Sequence, residues 1–113
     1  MRGVLERDFG VRVERWRELD DEGFVYDHPS DAEVNVVVSD GRVLLVEVAS
    51  HVKHSDISLF KRKAAFYEGR VGVSVDRLVV VTPYADEDAV KLASSLGIEV
   101  HTKVDFSPVI WFR

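Results

Sequence analysis

The sequence contains no cysteine and no glutamine, and Asn35 is its single asparagine. The absence of cysteine excludes disulfides and thiolate metal sites, so histidine, aspartate and glutamate are the strong metal ligands that remain. Few amide side chains, combined with frequent valine, glutamate and arginine, are typical of proteins from thermophilic organisms. We therefore expect a heat-stable protein, in which any metal site is built from oxygen and imidazole ligands.

Long hydrophobic runs are also missing, since no apolar segment approaches the roughly 18 residues of a membrane span. Arg2, Glu6 and Arg7 give the N-terminal segment a charge pattern unlike that of a signal peptide, and we expect a cytoplasmic protein. The 113 residues are 46% hydrophobic, enough for the core of a single domain over residues 1–113. The formal net charge is −5, so a nucleic acid would have to contact a local basic patch.

Two common catalytic patterns are absent from the sequence. The seven glycines are dispersed at turns instead of forming a phosphate-binding loop, and no serine lies in a nucleophile elbow. Nucleotide hydrolysis is therefore disfavoured. The acids Asp86, Glu87 and Asp88 are consistent with a metal site, but the helix dipole also favours acidic residues in the first turn of a helix.

Hydrophobic periodicity and turn residues predict an α/β (α+β) domain with the element order αββββαβαββ. The predicted elements are, in chain order, a helix near residues 2–9, the strands VRVERWREL and FVYDHP, the strands AEVNVVVS and RVLLVEVA, a helix capped by Ser55 or Asp56 and ended by Gly69, the strand RLVVVTPY, a helix from Asp86 to Gly97, and the strands IEVHT and PVIWF. Antiparallel strands followed by a helical crossover predict a central mixed β-sheet flanked by helices.

A carboxylate interrupts one of the predicted core strands. Glu47 directly follows the apolar run of residues 43–46, and Ala49 comes two residues later. Residues two apart in a strand share a face, so Glu47 and Ala49 lie on one face of their strand, as Glu33 and Asn35 do on theirs. A buried carboxylate needs a partner, which makes this pair of strands the candidate site.

The turn between these two strands decides whether the polar pairs meet. A two-residue turn at Asp40 and Gly41 places Asn35 and Glu47 on opposite faces of the sheet, whereas a three-residue loop from Ser39 to Gly41 places them on the same face. The residues permit either turn. We favour the three-residue loop because it gathers the polar groups into one patch.

This arrangement resembles the PD-(D/E)XK nuclease superfamily. The stretch from FGVRVERW through EVNVVVSDGRVLLVEVASHVKHSDISLFKRKAAFYE to RLVVVTPYADEDAVKLASSLGIEV is similar to a largely archaeal group within it, over nearly the whole chain. The resemblance implies a restriction-endonuclease-like core, Mg²⁺ or Mn²⁺ as the cofactor and DNA as the substrate. It also implies a homodimer, for which the terminal strand PVIWF offers an apolar edge.

The resemblance also assigns roles to three positions. In the superfamily, an aspartate on one strand and a glutamate on the next bind Mg²⁺, and a lysine two residues after the glutamate steadies the attacking water. These positions fall on Asn35, Glu47 and Ala49, so only Glu47 matches. Asn35 keeps a carbonyl oxygen but lacks a charge, and Ala49 has no polar group. Because acid–base assistance is commonly worth a factor of about 10² to 10⁴, losing both groups would leave little cleavage.

Other residues are candidates to replace the carboxylate missing at position 35 and the lysine missing at position 49. Glu33 shares the face of Asn35 and is a candidate metal ligand with Glu47 and Asn35. Lys61 and Lys63 border opposite edges of the apolar stripe on the following helix, and the resemblance permits a lysine displaced to that helix. The alternative is that both lysines are solvated and lie along the apolar surface of the helix.

Cationic side chains surround the start of the same helix. The residues that would form a basic edge for a nucleic-acid backbone are His51, Lys53, His54 and Arg62. His51 and His54, three residues apart, are alternatively metal ligands, and a solvated loop accounts for them equally well.

The sequence therefore supports two principal functional hypotheses. In the first, a nuclease-like domain with a degenerate metal site has lost phosphodiester cleavage and acts in nucleic-acid binding or assembly. In the second, an active Mg²⁺-dependent DNA endonuclease uses Glu33, Glu47 and a helix lysine. A third, purely structural hypothesis is that Glu47 is bound by a neighbouring histidine or lysine.

Overall fold

The computed structural model describes residues 11–102, so the predicted helix near residues 2–9 and the predicted strand PVIWF lie outside the described residues. The described elements are β1 (Val11–Asp20), β2 (Ser30–Ser39), β3 (Arg42–Val48), α1 (His54–Val71), β4 (Arg77–Val81), α2 (Glu87–Ser95) and β5 (Ile98–His101). None of the helices within this range is long and apolar enough to cross a membrane.

The five strands form one mixed sheet in the order β1-β2-β3-β4-β5. The pairs β1–β2 and β2–β3 are antiparallel, while β3–β4 and β4–β5 are parallel. α1 connects β3 to β4 and α2 connects β4 to β5, because parallel neighbours require a crossover. The predicted mixed sheet with flanking helices is confirmed.

Both helices pack on the same face of the sheet. Their buried side chains, among them Phe60 of α1 and Ala93 of α2, join Val36, Leu45 and Val80 of the strands in one core cluster. Leu45 and Val36 are fully buried. The alternation of buried and less buried residues along β2 follows from the two-residue period of a strand, which directs Val36 and Val34 toward the helices.

α1 begins and ends at positions other than those predicted. Lys53 is the residue before the helix, and its backbone N–H donates to Asp56 Oδ2 at 2.8 Å, so Asp56 closes the first turn from inside the helix. The helix continues through Gly69 and ends at Gly72, whose φ of 78° is the left-handed conformation that commonly terminates helices. The predicted cap at Ser55 or Asp56 and the predicted end at Gly69 are therefore wrong.

The predicted strand FVYDHP is also wrong. Residues 21–29 form turns and bends, and β1 pairs directly with β2. Asp20, at the end of β1, accepts a hydrogen bond on Oδ2 from the Val25 N–H at 2.7 Å, and Gly23 and Asp27 have positive φ values. Val25 is nevertheless fully buried, so its apolar character reflects packing and not strand pairing.

The hairpin between β2 and β3 has the two-residue turn and not the favoured three-residue loop. Ser39 pairs with Arg42, and Asp40 and Gly41 between them have φ values of 53° and 75°. Aspartate tolerates the left-handed conformation, so both central positions fit a type I′ turn, whose twist matches that of the strands. The expectation that this loop places Asn35 and Glu47 on the same face is therefore wrong.

Candidate functional site

A cleft opens where β2 and β3 stop pairing. The last paired residues are Asn35 and Val46, and the Asn35 side chain donates from Nδ2 to the Val46 carbonyl oxygen at 3.3 Å. Beyond this point, Glu33 of β2 pairs with β1 alone. The cleft, here called the fork cleft, has a volume of about 280 Å³ and is lined by Arg15, Tyr26, Asp31, Glu33, Val34, Asn35, Glu47 and Lys63.

Asn35 and Glu47 therefore share a cleft despite their register. In the regular part of the hairpin, Asn35 is opposite Val46, so Glu47 belongs to the other face of the sheet, with Leu45. The separation of the strands opens the space between the two faces, and both side chains line it. Glu33 lines the same cleft, so the three predicted oxygen ligands border one space.

Glu47 forms an ion pair with a lysine of α1. Lys63 Nζ lies 3.2 Å from Glu47 Oε1, and the two side chains are 13% and 33% exposed. Lys61, the other candidate on the helix, is exposed and lines neither the fork cleft nor the cavity on the other side of Glu47. The helix lysine beside the carboxylate is therefore Lys63.

A second cavity lies on the other side of this ion pair. It has a volume of about 160 Å³, and we call it the helix cavity because α1 forms one wall. Its polar and small lining residues are Glu47, Ala49, His51, Asp56 and Lys63. Ala49 thus shares a cavity with the Lys63 side chain, so a lysine reaches the Ala49 side of Glu47 from α1 instead of from β3.

Glu33 is held by arginines of β1. Arg15 Nη2 lies 2.9 Å from Glu33 Oε2, and Arg17 Nε lies 3.5 Å from Glu33 Oε1. Arg17 also donates from Nε to Asp31 Oδ2 at 3.0 Å. The hydrogen bond to Asp31 and the charges of Asp31 and Glu33 raise the pKa of Arg17 above its usual value. The acids of β2 are therefore balanced by arginines on the neighbouring strand.

A family model described as the PD-(D/E)XK nuclease superfamily matches residues 30–99, well over half of the chain. The chain belongs to the PD-(D/E)XK nuclease superfamily. The membership implied by the sequence resemblance is confirmed, and the matched range contains Asn35, Glu47 and Ala49. A second family model, described as a protein of unknown function (DUF3782), matches residues 1–29. No curated protein matches the chain.

Two solved structures share the fold. The crystal structure of a repair endonuclease from Pyrococcus abyssi is 23% identical with a TM-score of 0.53, and the match covers 70% of this chain and 34% of that one. The structure of EndoMS in apo form is 16% identical with a TM-score of 0.58, covering 87% of this chain and 40% of that one. The chain thus spans well under half the length of either protein. These likenesses confirm the predicted restriction-endonuclease-like core.

The divalent metal typical of PD-(D/E)XK nucleases does not fit the residues of the fork cleft. Magnesium prefers several oxygen ligands, chiefly carboxylates. Glu47 is paired with Lys63, Glu33 with Arg15, and the Asn35 amide donates to a backbone carbonyl. Within residues 11–102, no group of three histidine or acidic side chains is arranged to hold a metal ion. Neither Glu47 nor Glu33 is therefore free of a cationic partner.

The predicted basic edge is divided in the structure. His51, Lys53 and His54 precede or open α1 and are exposed, but His51 Nε2 lies 2.7 Å from Asp86 Oδ1. Arg62 lies about two turns further along α1 and donates from Nη1 to the Val25 carbonyl oxygen at 3.3 Å. The structure therefore groups the first three residues and places Arg62 against the segment that follows β1.

Several residues of the site were not predicted. Arg15 and Tyr26 line the fork cleft, and Tyr84 contacts His51 beside the helix cavity. Arg15 would have followed from pairing β1 directly with β2, since Arg15 then lies opposite Asn35. No sequence signal connects Tyr84 with His51, because their contact depends on the neighbouring ends of β3 and β4.

Proposed function

We propose that this chain is a nuclease-fold domain that binds nucleic acid and has lost metal-dependent phosphodiester cleavage. The observation that carries the proposal is the ion pair between Glu47 and Lys63 at 3.2 Å. The one carboxylate that matches the superfamily pattern is neutralised by an ammonium group of the same chain. The lysine provides the positive charge that a metal ion would otherwise bring.

The two remaining pattern positions support the same function. Asn35 contributes no negative charge, and its amide group is engaged by the Val46 carbonyl oxygen. Ala49 adds neither a proton donor nor a charge to the helix cavity. Electrostatic stabilisation of a phosphodiester transition state requires charged or polar groups placed in advance. Of the three positions that supply them in the superfamily, Ala49 has no polar group here and Asn35 has no charge.

The charges of the fork cleft limit how a nucleic acid would bind. Two cations, Arg15 and Lys63, line the cleft together with three anions, Asp31, Glu33 and Glu47. The cleft is therefore not a positive trough for a phosphate backbone, and the whole chain has a net charge of −5. Binding to nucleic acid would rely on few phosphate contacts and would depend weakly on salt.

Cleavage and binding assays test the proposal together. The chain is incubated with labelled single-stranded, duplex and branched DNA and Mg²⁺ or Mn²⁺, and binding is measured by fluorescence anisotropy. The expected result is binding to at least one of these DNAs without cleavage of any. Cleavage that disappears in Glu47→Gln contradicts the loss of activity, and a complete failure to bind contradicts the binding function.

Restoring the superfamily pattern provides a matched comparison. Asn35→Asp and Ala49→Lys are combined with Lys63→Met, because a lysine introduced at position 49 would share the helix cavity with Lys63. We expect this triple variant to gain metal-dependent cleavage that the parent chain lacks. The same triple variant with Glu47→Gln added is the control and should be inactive.

A second carboxylate in the fork cleft, that of Glu33, favours a second candidate function, an active Mg²⁺-dependent DNA endonuclease. Lys63 is placed by α1 next to Glu47, where a lysine displaced from β3 would act, and Glu33 lies in the same cleft. In this alternative the parent chain cleaves DNA, and both Lys63→Met and Glu47→Gln abolish cleavage. Lys61→Met is the control, because Lys61 lies outside the cleft, and should leave cleavage unchanged.

A further inference from the structure

Tyr84 is a large aromatic side chain held in solvent by a fixed backbone. Its side chain is 62% exposed. The buried Thr82 hydroxyl donates to the Tyr84 carbonyl oxygen at 2.9 Å and accepts from the Tyr84 N–H at 3.2 Å. The Val52 N–H donates to the same carbonyl oxygen at 2.9 Å. The backbone that carries the ring is therefore fixed before any ligand arrives, which lowers the entropic cost of binding.

His51 forms a second wall beside the tyrosine. The two rings have centroids 4.9 Å apart and an interplanar angle of 76°. His51 is fixed in turn, since Nε2 lies 2.7 Å from Asp86 Oδ1, and the Asp86 N–H donates to the Val52 carbonyl oxygen at 2.9 Å. A perpendicular contact covers at most one face of the Tyr84 ring. Within the described residues, 62% of the Tyr84 side chain is exposed, so the ring keeps surface that a planar ligand can contact.

This pair of rings, here called the aromatic platform, is continuous with the candidate site. His51 is also part of the wall of the helix cavity, together with Glu47 and Lys63. A ligand on Tyr84 would therefore lie beside His51, which shares the helix cavity with the Glu47–Lys63 pair. Phe24, the other exposed aromatic residue in the described part of the chain, borders a different cavity with Gly69.

We propose that the aromatic platform of Tyr84 and His51 stacks an unpaired nucleobase. This inference rests on the proposed binding function and names its ligand class, nucleic acid with single-stranded bases. An open aromatic face binds bases of any sequence, whereas bases within a duplex are covered by their neighbours. Base stacking also requires no positive trough, which agrees with the balanced charges of the fork cleft.

Fluorescence anisotropy tests the platform with three probes of equal length, a labelled oligothymidylate, a chain of abasic nucleotides and a duplex. We expect the oligothymidylate to bind most tightly and Tyr84→Ala to weaken its binding about 5- to 150-fold, the range expected for one lost stack. Tyr84→Phe and Tyr84→Trp should retain binding. Phe24→Ala is the control, because Phe24 borders a different cavity beside Gly69, near the end of α1, and should leave binding unchanged.

The outcomes separate this inference from the function on which it rests. Equal binding of oligothymidylate by the parent chain and Tyr84→Ala overturns the platform but leaves nucleic-acid binding intact, as does equal binding of the abasic probe. Failure of the parent chain to bind any probe overturns both. If Tyr84→Ala does not fold, the fluorescence of Tyr84→Trp decides, since stacking predicts quenching by oligothymidylate and unchanged emission overturns the platform.

Discussion

Glu47 and Lys63 illustrate what can be predicted for a single residue. The position of Glu47 within an apolar strand indicates that it needs a partner, and the helical period places Lys61 and Lys63 on opposite edges of α1. Which edge meets the strand depends on how α1 lies across the sheet, and that packing is set by distant residues. The sequence therefore predicts two candidates, and the structure selects Lys63.

The ion pair makes a prediction about stability. Glu47→Gln leaves a largely buried ammonium group without its partner, so we expect the free energy of unfolding to fall by about 1 kcal/mol. Adding Lys63→Met to this variant should recover most of the loss. Urea denaturation measures both changes. Lys91→Ala, which removes an exposed 3.9 Å pair with Glu87, is the control and should change stability by only about 0.3 kcal/mol.

Asp20 predicts a dependence of stability on pH. Burial alone would raise the pKa of Asp20, but the hydrogen bond from the Val25 N–H, the neighbouring N–H groups of Phe24 and Gly23, and the charge of Arg70 lower it below the usual 3.8. A lowered pKa stabilises the folded state above the unfolded value, and this contribution disappears as the pH falls through the folded value. The contribution should therefore be complete at neutral pH and lost in the range below about 3.8.

Urea denaturation of Asp20→Asn between neutral and strongly acidic pH checks this dependence. The asparagine retains an oxygen that can accept the Val25 hydrogen bond, so the variant isolates the charge. We expect it to be less stable than the parent chain at neutral pH, with the difference shrinking below about pH 3.8. A difference that stays constant across the titration would contradict the role of the charge.

The register of the β2–β3 hairpin differs from the predicted one because the local sequence does not determine it. The residues Asp40 and Gly41 are compatible with both turns, and the predicted three-residue loop rests only on grouping the polar residues on one face. In the structure, the pairing of β2 with β3 extends from the turn only as far as Asn35 and Val46, and side chains from both faces of the sheet line the cleft beyond that pair. A local sequence pattern does not report where two strands diverge, since divergence depends on the loop after β1 and on α1.

The other elements are likewise predicted well where their sequence pattern is local and poorly where their structure depends on tertiary packing. The apolar strands, α1 and α2 were predicted because their periodicity is strong and local. The segment of residues 21–29 was assigned to a strand because Val25 and its neighbours are apolar, yet Val25 packs with Ala32 and Phe66 from a turn. Tertiary burial and strand pairing give the same sequence pattern over so short a segment.

Alanine substitutions at two glycines, Gly41 and Gly69, are expected to change the stability of the fold in opposite directions. Gly41 has a φ of 75° in the hairpin turn, so Gly41→Ala should destabilise the fold by about 1 kcal/mol through backbone strain. Gly69 lies in α1, and no atom lies within 4 Å of an added methyl group. Gly69→Ala should therefore stabilise the fold by about 0.5 to 1 kcal/mol. Thermal denaturation of the two variants gives the comparison, and shifts of the same sign would contradict it.

For the molecule as a whole, the fold identifies the superfamily, whereas the side chains of the site bear on its chemistry. A mixed sheet with helical crossovers and the match over residues 30–99 establish the superfamily. The fold hosts a catalytic site in that superfamily, but chemistry depends on the side chains present. Here Glu47 forms an internal ion pair with Lys63.

Calorimetric titration of the intact chain with Mn²⁺, in parallel with Glu47→Gln, tests the central claim that Lys63 occupies the role of the metal. We expect no saturable heat from either protein, because Glu47 is already neutralised. Saturable binding in the parent chain that is lost in Glu47→Gln would show that Glu47 holds a metal ion, and would contradict the proposed loss of the metal site.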